Sequence, residues 1–94
     1  MSNVSSMTIL RAGTFVRVKP GVRMPEYPSL DISGWTGHVH QLVRKPAHNG
    51  YLIEWDEPTL AAIPAEYIRK CDERGLLHDM AFLKKDQIEP IESR

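Results

Sequence analysis

One cysteine, Cys71, stands in a chain of 94 residues. A lone cysteine allows no intrachain disulfide framework and excludes a cysteine-rich zinc site. Long apolar runs are also missing: no stretch reaches the roughly 18 residues that a membrane-spanning helix needs. The opening "MSNVSSMTIL" lacks both a basic n-region and an apolar h-region, so no signal peptide is expected there. A cytoplasmic setting follows as the expectation. No glycine-rich phosphate loop is present, no Ser–His–acid order is readable, and there is no internal repeat or low-complexity segment. Net charge is zero, with 12 basic and 12 acidic residues. That balance argues against a globally basic nucleic-acid binder, although the charges are unevenly placed. Residues 1–50 hold six Lys/Arg against two Asp/Glu, and residues 51–94 hold six against ten. Strands from both halves must pair in so small a domain, which mixes the two populations.

What is present fits one domain. A chain of this length buries only roughly 60–65% of its unfolded surface on folding, so its stability margin is thin. Residues 1–12 are expected to form a flexible tail or a short accessory strand, and residues 13–92 a single domain. "GTFVRVKPG" is the first firm strand: Phe15, Arg17 and Lys19 share one face, Val16 and Val18 the other, and Pro20-Gly21 ends it. The segment "VRMPEYPSLDISGW" is expected to be a long irregular loop, because Pro25 and Pro28 interrupt a ladder, with Met24, Tyr27, Leu30 and Ile32 as apolar anchors. "TGHVHQLVRK" gives a second strand whose core face polarity does not decide. Asn49-Gly50 signals a hairpin into "YLIEWDEP", where Tyr51, Ile53 and Trp55 favour the buried side. Pro64 then suits the first turn of a helix of about ten residues with a Tyr67, Ile68, Cys71 stripe and a terminating Gly75. "MAFL" is a fourth strand, "KDQI" a tight 3₁₀ turn, and "IEPIE" a fifth strand in which Pro90 requires an edge or a bulge.

The pieces "GTFVRVKPG", "GWTGHV", "GYLIEWD", "MAFL" and "IEPI" together resemble an SH3-like barrel, in the broad sense that includes KOW and Tudor-like modules. The resemblance implies a mainly β fold: a five-stranded barrel, here with one short inserted α-helix at about 59–78. That insertion departs from the family, which has only a tight turn between its third and fourth strands. No specific family is identified.

SH3-like domains recognise peptides with aromatics of the long loop and nearby strand ends, and the resemblance therefore points to Tyr27 and Trp35. Trp35 serves equally well as a core lid, and Trp55 is expected in the core. The apolar run Leu60, Ala61, Ala62, Ile63, with Tyr67, either covers one end of the domain or offers a homodimer or partner surface. Arg17, Lys19, Arg23, Arg44 and Lys45, with Arg11, form a candidate basic patch for backbone contacts to nucleic acid. His38 and His40 alternate on one strand face and can share a metal, with His48, Asp56 or His78 as a third ligand, or simply lie on a solvent face. They are also the groups suited to respond to pH. Cys71 lies on an apolar stripe and reads as a buried thiol, not a nucleophile.

The expected function is a non-enzymatic protein–protein interaction module or a self-associating one, with no cofactor, no resident metal and no membrane. An RNA- or ribosome-associated module is the alternative. A small oligomeric enzyme with an interface active site is the second, since plasmid-borne dihydrofolate reductases are similar in fold pattern.

Overall fold

The computed structural model describes residues 10–44 and 49–91. The expectation for the N-terminal tail therefore falls almost wholly outside the described residues, as do Lys45 and His48. Leu10 is described: it is buried, and its N–H donates to the Tyr51 hydroxyl at 3.2 Å.

The described residues form seven strands and two α-helices in the order β1 (Phe15–Val18), β2 (Arg23–Met24), β3 (Tyr27–Asp31), β4 (Thr36–Val43), β5 (Gly50–Trp55), α1 (Glu57–Ala62), α2 (Ala65–Arg74), β6 (Met80–Leu83) and β7 (Ile88–Pro90), with a 3₁₀ turn at Lys85–Gln87 before β7. Five strands form one antiparallel sheet in the order β6-β5-β4-β1-β7, and β2-β3 form a separate ribbon. The fold is thus mainly β, with a helical insertion ahead of the sheet's fourth strand. Among the described residues no ladder joins the edge strands β6 and β7. No described helix is long and apolar enough to cross a membrane.

Alternation places the core. In β1, Val16 and Val18 point inward while Phe15 and Arg17 point outward. In β5, Tyr51, Ile53 and Trp55 are buried, as their apolar character favours. β4 resolves the face that polarity left open: Gly37 and Val39 are buried, and His38 and His40 share the outer side. A register shift between Val39 and Gln41 marks a bulge at His40. At Gly37 the sheet is too tight for any side chain, because a Cβ there would land on the Glu54 carbonyl oxygen.

Two segments differ from the sequence expectation. The 22–35 stretch is not irregular. Arg23 pairs with Asp31 and Met24 with Tyr27, across a turn at Pro25-Glu26. Each strand of a two-stranded ribbon has an unpaired side, so Pro28 can sit where no donor is required. Its anchors behave as expected: Met24 and Ile32 are buried, and Tyr27 and Leu30 pack against the core. The insertion holds two helices, not one. Asp56 caps α1 by accepting the Thr59 N–H at 3.1 Å, and Pro58 lies in the first turn. Pro64 is the N-cap of α2. Gly75 ends α2 in the left-handed region at φ 72°, and the Leu76 N–H returns to the Cys71 carbonyl at 2.8 Å. That closure satisfies a carbonyl of the last turn. Tyr67 and Cys71, four residues apart, bury one face of α2.

Asp56 also accepts the Thr36 hydroxyl, tying α1 to β4. Burial raises its pKa, but hydrogen bonds from Thr36 and Thr59 outweigh that and hold the carboxyl below its ordinary 3.8. A depressed folded pKa gives stability that is whole above the unfolded value and lost as pH falls through the folded one. Asp56→Asn keeps a capping acceptor and removes the titration. Its thermal midpoint should therefore fall less than that of the wild type between about pH 5 and pH 2. Parallel curves would assign the acid sensitivity elsewhere. Asp56→Ala, which loses the cap as well, should cost about 1–2 kcal/mol at neutral pH.

Candidate functional site

The two free edges of the sheet differ. Just ahead of β6 the Asp79 carbonyl accepts from the Trp55 N–H of β5, and the register pairs Glu54 with Met80 and Leu52 with Phe82. Antiparallel pairing alternates, so Ala81 and Leu83 turn their backbone groups towards β5. The N–H and C=O of Met80 and Phe82 then point out from the open edge. In β7 the bonds Lys19 N–H to Gln87 C=O and Ile91 N–H to Phe15 C=O put Ile88 and Pro90 on the outward positions. Pro90 has no donor to offer, which blunts that edge. The β6 edge carries no such block.

An apolar groove of about 370 Å³ lies beside β6. It runs between the β2–β3 turn (Pro25, Glu26), the segment after α2 (Gly75, Leu76, Leu77) and Met80, Ala81 and Phe82, with Met24, Leu52 and Tyr67 also lining it. Leu77 is 67% exposed and Leu76 38%. Both leucines follow the glycine that ends α2, so the cap itself sets them at the groove. Phe82 is held by β5: its ring lies over Gly50, where a Cβ would come within 2.6 Å of it. Glu26 is the sole charged side chain among the lining residues. Burial pushes the Tyr67 hydroxyl pKa up, and Cys71 and Glu26 add to the shift, so it stays a neutral phenol.

The outer face of the sheet continues from this edge. Met80, Glu54, His38 and Phe15 stand opposite one another across β6, β5, β4 and β1. Phe15 is 39% exposed and meets the His38 ring edge-on at 6.3 Å. Glu54 Oε1 lies 3.2 Å from His38 Nε2 and 3.8 Å from His40 Nδ1. The two imidazoles thus share a carboxylate. Among the described residues no group of three or more His, Cys, Asp or Glu is placed to hold a metal ion. Asp56, one suggested third ligand, is occupied by α1 and Thr36.

The residues singled out from the sequence do not gather at one place. Ile63 and Tyr67 are buried at 7% and 3% exposure, and so belong to the core instead of presenting a surface. Tyr27 is half-buried, its ring 5.6 Å from that of Tyr67 and its hydroxyl 3.3 Å from Glu66 Oε2. Trp35 packs edge-on against Trp55 at 5.1 Å, and Leu60 is partly buried against the core. The 59–68 segment thus covers its own sheet. Of the basic residues, Arg17 is tied to Glu89 at 3.1 Å across β1 and β7, Arg23 stands opposite Asp31, Lys19 is half-buried and Arg44 is exposed. Asp31 is held below the ordinary carboxylate range by hydrogen bonds from the Ser33 hydroxyl and N–H. Cys71 is a buried free thiol, as its stripe suggested.

Leu76, Leu77, Met80 and Phe82 were not singled out from the sequence. The available signal was a pair of leucines directly after a helix-ending glycine, followed by a strand apolar on both faces.

Among the described residues, these features define a small mainly β domain whose β6 edge is unpaired and flanked by apolar side chains. Compared with known proteins, the chain matches no family model, no curated protein and no solved structure.

Proposed function

We propose that this chain is an SH3-like barrel domain acting as a non-enzymatic protein-interaction module, with the β6 edge and its groove as the docking site. The strand order supports the barrel reading: β1 pairs with both β4 and β7, which brings the last described strand back beside the first. The observation that carries the function is the groove itself, apolar and bordered by outward backbone groups of Met80 and Phe82. Such a site binds an extended segment through main-chain bonds, with side-chain pockets giving selectivity. A cytoplasmic setting goes with this reading, since the lone cysteine forms no disulfide within the chain.

Peptides selected from a random library on the intact domain test it. Leu77→Asp should weaken selected binders at least about tenfold, equal to about 1.4 kcal/mol. The thermal midpoint should hold, because Leu77 is 67% exposed. Binding should persist as salt rises, whereas nucleic-acid binding falls steeply. Binders indifferent to Leu77→Asp would move the site elsewhere, and steep salt dependence would favour the RNA alternative.

A further inference from the structure

We infer that β6 pairs antiparallel with the β6 of a second copy of this chain, about a two-fold axis at Ala81. The inference rests on the reading above in using the same edge, and it names the partner. Two observations lead to it. First, among the described residues no strand pairs beyond β6, whereas the opposite edge is blunted by Pro90, so of the two described edges β6 offers the fuller row of donors and acceptors. Second, the strand complements itself. With Ala81 on the axis, Met80 stands opposite Phe82 of the partner subunit, and Phe82 opposite the partner's Met80. Those positions carry the outward N–H and C=O groups, so every free bond on the edge finds its mate. The flexible Met80 thioether then meets an aromatic ring on the outer face, a favourable contact.

Amide hydrogen exchange and sedimentation on the intact chain, over a concentration series, test this directly. Ala81 and Leu83 should be protected at every concentration, since they bond to β5. Met80 and Phe82 should exchange freely when dilute and become protected as the sedimenting species shifts from monomer to dimer. Met80→Pro removes an outward N–H and no bond within the sheet, so it should remain folded and monomeric throughout. A wild type that stays monomeric with freely exchanging Met80 and Phe82 overturns the inference, as does a folded Met80→Pro that dimerises like the wild type. If Met80→Pro fails to fold, the exchange pattern of the wild type decides alone. A monomeric wild type that still binds peptides through Leu77 leaves the groove reading standing. A dimer without such binding removes the peptide reading and keeps the self-pairing.

Discussion

Gly37→Ala should destabilise the domain by at least about 3 kcal/mol, lowering the thermal midpoint by roughly 12–24 °C. The added Cβ would fall on the Glu54 carbonyl oxygen and 3.0 Å from both the Glu54 carbonyl carbon and the Trp55 Cα. All three are backbone atoms, so no side-chain rotation relieves the clash. β4 and β5 must separate at the pair that also carries Trp55, and that pair lies in the middle of the sheet. A domain of this size is stable by about 5–14 kcal/mol, so the loss is a large share of the whole. Thermal and urea unfolding measure it. A change below about 1 kcal/mol would show that the strands do not approach so closely at Gly37.

Trp55 carries the second large effect. It is 2% exposed, and its ring meets Trp35 edge-on. Trp55→Ala should cost about 3–5 kcal/mol, the range for emptying a large aromatic site. The same indole has a buried Nε1 with no hydrogen-bond partner among the described residues. A buried donor left unpaired costs about 1–3 kcal/mol. Trp55→Phe removes that donor along with part of the ring, so the two terms oppose each other. The Phe variant should therefore lose no more than about 1.5 kcal/mol, well short of the Ala variant. Equal losses for Phe and Ala would mean that the indole N–H is satisfied, and that the whole bicyclic ring is needed to fill its site.

Much of the fold was legible because the sheet's own strands obey simple alternation. Val16 and Val18, and Tyr51, Ile53 and Trp55, have apolar character on one parity, and their burial follows. The closing 3₁₀ turn and Pro90 at an edge followed from local chemistry in the same way. The helix α1 was hidden because Asp56-Glu57-Pro58 reads as an acidic surface as readily as a capped helix start. The cap on the Thr59 N–H and the contact between Asp56 and Thr36, 20 residues apart, fix which it is. The β2–β3 ribbon was hidden by Pro25 and Pro28, whose restrictions vanish in a turn and on an unpaired strand side.

The candidate site was less legible for a different reason. Aromatic residues attract attention in a sequence, yet Tyr67 and Trp55 are consumed by the core, and Tyr27 and Trp35 lean on them. What makes Leu77 available is the direction of the chain after Gly75, and what makes Met80 and Phe82 available is the end of a strand order. Both are tertiary facts. Periodicity can assign Met80 and Phe82 to one face, but it does not say that, among the described residues, no strand pairs beyond them.

The account turns on the β6 edge and its groove as the place where a partner docks. Backbone amide shifts of the intact domain, followed while a library-selected peptide is titrated to saturation, test this most directly. The account predicts that the largest changes fall on Leu76, Leu77, Leu52 and Met80 to Leu83. Changes centred on Trp35 and Leu60, or on Arg11 and Arg44, with β6 undisturbed, would contradict it.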